Sequence, residues 1–313
     1  MKEKILELLN EKDFVSGEHL AKKLGVSRTA VWKQINNLKK IGYKIESVKN
    51  KGYRLSSTPD IPIETELKKG LKTKIIGQKT FYFPEIESTN QYAKKIVADK
   101  IEEGTVVVSD VQTKGRGRKN RGWSSPKGGL WFSVILYPNI PPERGMLITM
   151  TASVSVAQAI EEITGLRPVI KWPNDLLVNG KKVCGILTEL DAEIDKINYS
   201  IVGIGINVNN KIKKELKSKA ISLNEVGNLE LPKVKLLQSI LTNFDLNYSK
   251  IMDNNYIRNL WFSYSNIIGK EIEVQRQKDT VKGIVSSVDE SGCLIIKSNG
   301  KQIRIVSGDI IFL

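Results

Sequence analysis

Gln112-Thr113-Lys114-Gly115-Arg116-Gly117-Arg118-Lys119-Asn120-Arg121-Gly122-Trp123 is the most informative stretch of this 313-residue chain. Glycine or asparagine at 115, 117, 120 and 122 excludes a regular helix or strand, so the stretch is a loop. Six cations fall between Lys114 and Lys127, with no carboxylate among them. Such a loop repels itself and should be mobile until an anion, such as a nucleotide phosphate, arrives. Arginine forks fit phosphate oxygens, glycine lets the backbone come close, and Trp123 can cover a ring or an apolar tail. Composition alone would also allow a basic loop that binds nucleic acid. It is not a Walker loop, because no Gly-x-x-x-x-Gly-Lys-Ser/Thr occurs. Nor is it a dinucleotide Gly-x-Gly-x-x-Gly, because Asn120 stands in the third glycine position.

Two neighbouring segments extend this reading. In Val169-Ile170-Lys171-Trp172-Pro173-Asn174-Asp175 a lysine ends an apolar strand and is held by Trp-Pro, so it should face a cleft. A fixed ammonium there can stabilise charge developing on carboxylate and phosphate oxygens. The bland alternative is a surface lysine beside a structural Trp-Pro. Glu87-Ser88-Thr89-Asn90 offers hydroxyls and amide N–H groups at a helix N-terminus, suited to polar ligand atoms or to simple capping.

Around these segments, strands are expected at 81–83, 105–109, 130–136, 169–171, 176–178, 183–187 and 199–208, and helices at 90–99, 147–164 and 233–252. Asn179-Gly180 pins a hairpin between 176 and 187, since both residues tolerate positive φ. The order lacks strict βαβ alternation. The class is therefore α+β, with a largely antiparallel or mixed sheet.

The first 58 residues differ in character, with 13 Lys/Arg against 6 Asp/Glu. A first helix carries Ile5, Leu6, Leu8 and Leu9 and ends at Lys12-Asp13. Ser16 caps a second, which Gly25 ends. Ser27 caps a third, whose apolar positions Val31, Ile35, Leu38 and Ile41 share one face. Two short helices about a tight turn form a helix-turn-helix. Arg28, Thr29, Trp32, Lys33, Asn36 and Asn37 point away from the apolar face, the early ones where a recognition helix meets base edges. Strands at 43–48 and 53–55 flank Lys49-Asn50-Lys51-Gly52, a basic wing suited to backbone phosphates. A small helical domain used for protein contacts is the alternative. Residues 56–62, polar and stiffened by two prolines, read as a linker. At the other end, alternating runs at 271–275, 281–288, 293–298 and 302–306 read as a separate small β unit.

Composition narrows the function. The net charge of +15 points to anionic partners. Two cysteines exclude a disulfide framework, and one histidine, His19, excludes a Ser-His-Asp mechanism or a multi-histidine metal site in the body of the chain. No apolar run reaches bilayer length and the N-terminus lacks a signal peptide, so a cytoplasmic protein without membrane contact is expected.

In order and spacing these segments resemble the biotin–protein ligase family, and residues 1–58 resemble the winged domain of biotin operon repressors. The matching elements are Ser88-Thr89-Asn90, Gln112, the Gly-Arg-Gly-Arg-x-x-Arg-x-Trp loop and Lys171-Trp172-Pro173-Asn174-Asp175, with Gly185-Ile186-Leu187 and Gly203-Ile204-Gly205-Ile206-Asn207. The resemblance implies a winged helix-turn-helix domain at 1–58, a linker at 59–66, a ligase domain of the biotin/lipoate type at 67–265, and an SH3-like barrel at 266–313. It implies that Ser88, Thr89 and Gln112 hold the ureido and carboxyl ends of biotin, with Asn90 beside them. Gly115, Arg116, Gly117, Arg118, Arg121 and Trp123 would close over biotin and phosphate. Lys171, with Asn174 and Asp175, would meet the carboxylate and the adenylate phosphate, making Lys171 and Arg118 the catalytic pair. The implied chemistry uses ATP with Mg²⁺ and forms biotinyl-5′-AMP, whose acyl group passes to a lysine of the biotin carboxyl carrier protein. No dedicated metal site is expected. The implied partner of Ser27, Arg28, Thr29, Trp32, Lys33, Asn36, Lys49 and Lys51 is operator DNA, bound by a homodimer when biotinyl-5′-AMP is present. A lipoate ligase shares the fold class, and a regulator that only senses its ligand is a further alternative. The intact arginine loop and Lys171 argue against that last one.

Overall fold

The computed structural model describes residues 1–10, 13–276 and 279–313, which form two compact units, Met1–Ile61 and Pro62–Leu313. The first unit contains α1 (Lys2–Asn10), α2 (Gly17–Leu24), α3 (Arg28–Ile41), β1 (Lys44–Val48) and β2 (Gly52–Ser57). The expected helix end at Lys12-Asp13 lies partly outside the described residues. Both later helices are capped as their sequences require. Ser16 and Ser27 accept from the backbone N–H of His19 and Ala30, and Gly25 and Gly42 take the left-handed conformation that ends each helix. Ile5, Leu6, Leu9, Leu20, Val31, Ile35 and Leu38 fill the core between them. The wing folds back onto the first turn, with Val15 and Tyr53 exchanging backbone hydrogen bonds at 2.9 Å. A Cβ on Gly52, at φ +107°, would stand 2.2 Å from the Val15 carbonyl oxygen, so only glycine fits there.

The second unit is built on a seven-stranded mixed sheet. Its elements run α4 (Glu64–Lys68), β3 (Thr80–Phe83), α5 (Thr89–Val97), β4 (Val106–Ser109), β5 (Leu130–Leu136), α6 (Met146–Thr164), β6 (Val169–Lys171), β7 (Asp175–Val178), β8 (Lys181–Ala192) and β9 (Ile197–Ile206). Next come α7 (Leu223–Gly227), α8 (Lys233–Tyr248) and α9 (Asn254–Tyr264). The strand order is β3-β4-β5-β9-β8-β7-β6, parallel only between β3 and β4. Asn179 and Gly180 both take positive φ in the β7–β8 turn, as that turn requires. Part of the expected linker is structured: residues 64–66 begin α4, and Gln238 of α8 donates to the Glu66 and Leu67 carbonyls.

Alternation along the strands sorts the sheet into two faces. Val106, Val108, Val134, Leu136 and Val202 point to one face, beneath the buried helix α6 and its neighbours α8 and α9. Val107, Ile135 and Ile201 point to the other, beneath Ala93 and Ile96 of α5. One short helix cannot cover seven strands, so the second face stays partly open. The site lies there.

The chain ends in β10 (Glu271–Gln275), β11 (Thr280–Val288), β12 (Leu294–Ser298), β13 (Lys301–Ile305) and β14 (Asp309–Phe312), an antiparallel SH3-like sheet in the order β13-β12-β11-β10-β14. The small β unit expected from sequence is present as a sheet of its own, and it packs directly against the rest of the second unit. Its Ile272, Val285, Leu294 and Ile310 share one core with Trp172, Ile257 and Trp261. The buried Trp172 donates its indole N–H to the Gly292 carbonyl at 3.1 Å, and Gly292 lies so close to Met146 and Met150 that a Cβ would meet sulfur at 2.7 Å. A β unit of this size buries too little apolar surface alone, and helix α6 and Trp172 supply the rest.

Candidate functional site

On the open face, β5 presents Trp131 and Ser133, β9 presents Gly203 and Gly205, and β8 presents Gly185, Leu187 and Glu189, paired in register. Glycine is required at this floor by what lies above it. A Cβ at 203 would stand 2.1 Å from Asn90 Oδ1, one at 205 would stand 2.5 Å from Trp123 Nε1, and one at 185 would stand 2.9 Å from the Trp123 ring. Trp123 lies over the two glycines, edge-on to Trp131 at 6.4 Å between centroids. Its buried indole N–H has no acceptor, which leaves a donor that a bound molecule can satisfy. Above this floor is a cavity of about 640 Å³ whose two ends differ in chemistry.

One end is neutral and densely hydrogen-bonded. Ser88 caps α5, and Ser88, Thr89 and Asn90 are all buried. Gln112 Oε1 accepts from the Thr89 N–H (2.8 Å) and hydroxyl (3.1 Å), and Gln112 Nε2 donates to Ser125 Oγ at 2.9 Å. Ser133 Oγ sits 2.7 Å from Thr89 Oγ1 and 2.6 Å from Asn90 Oδ1. Asn90 Nδ2 donates to Glu189 Oε2 at 2.8 Å. The expected polar residues are together here, but the Thr89 N–H is already engaged by Gln112.

The other end is cationic. Arg118, Arg121, Lys171 and Lys182 line it, with Asn174 and Asp175 between them. Arg118 donates to Asn174 Oδ1 at 3.0 Å and to the Gly308 carbonyl at 3.2 Å. Asn174 is itself fixed, because its Nδ2 donates to the Ile186 carbonyl at 2.8 Å. The two segments singled out from sequence thus meet through Arg118 and Asn174. Lys171 Nζ lies 5.7 Å from the centre of the Phe312 ring. Lys182 lies 2.7 Å from Asp175 Oδ1 and 5.0 Å from the Trp123 ring centre.

The expectation that no carboxylate neutralises the loop is overturned. Asp309 stands 2.7 Å from Arg121, 3.2 Å from Lys119 and 3.7 Å from Arg118, and Glu189 stands 3.6 Å from Arg116. Burial pushes the Asp309 carboxyl up. The Lys119 hydrogen bond and the charges of Arg121, Lys119 and Arg118 outweigh burial and hold it below the usual carboxylate range. For Arg118 burial dominates and lowers the guanidinium from its ordinary value, against the pull of Asp309 and Asp175. The loop closes as a narrow turn, with Arg116 bridged to Gly122, and Gly115 is wedged within 2.4 Å (from a would-be Cβ) of the Trp123 carbonyl. Lys119 and Asn120 take φ of 54° and 57°, so asparagine serves where glycine would also fit.

Sequence reading missed Ser133, Glu189, Lys182 and Asp309. Lys182 resembles a solvent-facing hairpin residue. The floor had a usable signal, since glycines 203 and 205 share parity and must face the same side.

In the first unit, Ser27, Arg28, Thr29, Trp32 and Lys33 are exposed along the start of α3, Asn36 is half-buried, and Lys49 and Lys51 are exposed on the wing. Trp32 is 58% exposed, unusual for a tryptophan.

A glycine-floored sheet joined to an arginine loop defines a ligase domain of the biotin/lipoate type. Residues 82–207 match the biotin/lipoate A/B protein ligase family, 2–54 an HTH domain, and 267–313 the biotin protein ligase C-terminal domain. The chain is 41% identical to the bifunctional ligase/repressor BirA of Bacillus subtilis over 318 residues, covering 99% of this chain and 98% of that protein. It is 27% identical to the Escherichia coli protein of the same name, covering 95% and 92%. The chain belongs to this family of bifunctional biotin ligases and repressors. Among solved structures, a biotin protein ligase from Aquifex aeolicus in complex with biotin and ATP aligns with a TM-score of 0.65 at 30% identity, covering 75% of this chain and 99% of that one.

Proposed function

We propose that this protein makes biotinyl-5′-AMP from biotin and ATP, transfers the biotinyl group to a lysine of the biotin carboxyl carrier protein, and represses biotin genes when the intermediate is bound. The observation that carries the reading is the single cavity with a neutral polar end and a cationic end, joined by a glycine floor under Trp123. Biotin has the same polarity, a neutral ureido ring linked by an apolar chain to a carboxylate. Ser88, Thr89 and Gln112 face the ureido group, the glycine floor and Trp123 enclose the apolar part, and the carboxylate reaches Arg118, Lys171 and Lys182.

Those cations act on charge. When the carboxylate attacks the α-phosphorus, negative charge builds on the phosphoryl oxygens while the bond to pyrophosphate breaks. Fixed cations in a water-poor cleft stabilise that state more than the reactants. Mg²⁺ bound with ATP would supply further neutralisation, and Asp175, one of the carboxylates that line the pocket, would share in holding it. Trp123 and the closed loop then keep water from the mixed anhydride until the carrier's amine attacks the carbonyl and AMP leaves. No covalent enzyme intermediate is involved. Both cysteines are buried, and burial pushes their thiols up, away from the reactive thiolate.

ATP–pyrophosphate exchange tested with biotin, lipoate and octanoate decides the substrate. Exchange with biotin alone is expected, and exchange with lipoate but not biotin would overturn the reading.

The repressor half rests on the exposed row Arg28, Thr29, Trp32 and Lys33 at the start of α3 and on the wing lysines. One short recognition helix reads a half-site, so operator binding calls for a two-fold dimer. If the ordered arginine loop contributes to the dimer surface, biotinyl-5′-AMP and dimerisation favour each other by about 1–3 kcal/mol. Sedimentation with and without biotin and ATP tests this. An association constant indifferent to ligand removes the mechanism of repression.

A further inference from the structure

We infer that Glu189 is a positioning residue that couples closure of the arginine loop to the orientation of the buried polar pocket. The inference rests on the reading of that pocket as the site of the adenylated acid.

Glu189 belongs to β8, on the same face as the glycine floor. One carboxylate oxygen, Oε1, is 3.6 Å from Arg116 on the near limb of the loop. The other, Oε2, accepts from Asn90 Nδ2 at 2.8 Å. A carboxylate can only accept, so it fixes which way the Asn90 amide points. Nδ2 must face Glu189, and Oδ1 must therefore face Ser133, which lies 2.6 Å away. The Ser133 hydroxyl is then the donor, directed at Asn90 Oδ1 and at Thr89 Oγ1, which lies 2.7 Å away. Thr89 is held by Gln112, Gln112 by Ser125, and Ser125 Oγ reaches back to the Trp123 carbonyl at 3.3 Å. Trp123 is the far limb of the loop. The polar chain therefore leaves the loop at Arg116, crosses the pocket, and returns to the loop at Trp123.

Glu189 is the one member of this chain with a net charge facing the loop, and that charge sets the chain's polarity. Opening of the loop removes Arg116 and leaves a half-buried carboxylate whose remaining partner is the Asn90 amide. A ligand that orders the amides and hydroxyls of the pocket holds Glu189 in place for Arg116. Loop closure likewise holds the pocket in the polarity that the ligand needs. Coupling of this kind is reciprocal.

Glu189→Gln tests it. The glutamine can still accept from Asn90 through its oxygen, so the pocket stays assembled, but its neutral amide no longer attracts Arg116. The expected result is a biotin KM raised about tenfold with kcat within about threefold, the range for one coupling contact. The ligand-free thermal midpoint should not move. Backbone amides of Gly117 and Trp123, which close the loop turn by donating to the Arg121 and Gly115 carbonyls, should exchange faster in the ligand-free variant. In the ligand-free protein Arg116→Met should free the same loop amides, and the double variant should exchange no faster than either single one. Glu189→Asp, with a shorter reach to the same pair, should recover part of the loss.

Additive effects in the double variant would overturn the proposal, and so would a fall in ligand-free midpoint with the biotin KM unchanged. Loop amides exchanging at the wild-type rate in Glu189→Gln would overturn it whichever acid the wild-type protein adenylates. Failure of the wild-type protein to use biotin would refute the substrate reading alone, since loop exchange is measured without ligand.

Discussion

Asp309→Asn is the sharpest perturbation of the arginine loop, because one carboxylate faces three of its cations. The substitution keeps the shape and one acceptor oxygen while removing the charge. Arg121 is 62% exposed at its side chain, so water screens its 2.7 Å contact, and Lys119 is 39% exposed. Arg118, at 21%, is the least screened. Pairs of this kind contribute about 0.2–1 kcal/mol each. Together they amount to roughly 1–2 kcal/mol, which corresponds to about 5–30-fold in the open-to-closed ratio of the loop. Hydrogen exchange at Gly117 and Trp123 in the ligand-free protein measures that ratio. The sign of the pH dependence follows from the depressed Asp309 pKa. A carboxylate with a folded pKa below its unfolded value of about 3.9 contributes fully above that value and loses the contribution as pH falls through the folded one. Wild-type protection should therefore be flat through neutral pH and fall toward that of Asp309→Asn only in acid below about pH 4. Equal protection in both proteins at neutral pH would show that Asp309 does not hold the loop.

Three further outcomes follow from the site. Lys171→Ala should cut adenylation by about 10²–10³-fold with little change in thermal midpoint, whereas Lys182→Ala should also lower the midpoint, because it strips Asp175 of its partner; pyrophosphate exchange and melting curves separate the two, and normal exchange in Lys171→Ala sinks its assignment. Arg118→Gly removes the fork between Asn174 and Gly308 while leaving the loop able to close partly, so the mixed anhydride should escape and acylate bystander lysines; labelling still confined to the carrier would show that Arg118 does not retain the intermediate. A protein beginning at Pro62 should keep ligase activity and lose operator binding, and full-length binding should weaken with salt at a log–log slope of about −0.9 per neutralised phosphate; a salt-independent complex argues against contact through α3 and the wing.

What was legible in the sequence was local. The caps at Ser16 and Ser27, the turn at Asn179-Gly180 and the apolar stripe of α3 each depend on residues within one or two turns, and the structure has them where periodicity and capping chemistry place them. The segments 112–123 and 169–175 carry their chemistry in their own composition. Helix α9, absent from the helices expected above, has the same kind of signal in Ile257, Leu260, Trp261 and Tyr264, after the capping Asp253. The final strand β14, only four residues long and directly following Gly308, has no periodicity to find.

The loop's electrostatics were not legible, and the reason is distance along the chain. A run of cations read in isolation must repel itself. The carboxylate that answers Arg121 and Lys119 lies 188 and 190 residues further on, in a strand too short to detect. It is brought there by hydrophobic packing that has no charge in it. Trp172, beside Lys171, anchors the C-terminal sheet through Gly292, and that sheet presents Gly308 and Asp309 to the loop. The Lys-Trp-Pro-Asn-Asp segment therefore serves the site twice: Lys171 and Asp175 line it, and Trp172 and Asn174 hold the parts that hold Arg118. The charge balance of the active site thus depends on the packing of a domain whose own residues carry little of the chemistry. A substitution such as Gly292→Ala, outside the residues that line the cavity, should loosen the same loop amides as Asp309→Asn. The reason is steric, because its Cβ would press on Met150 and displace the sheet that carries the carboxylate. Hydrogen exchange that rises in β10–β14 of this variant but leaves the loop amides at wild-type rates would break that chain of reasoning at the link between packing and charge.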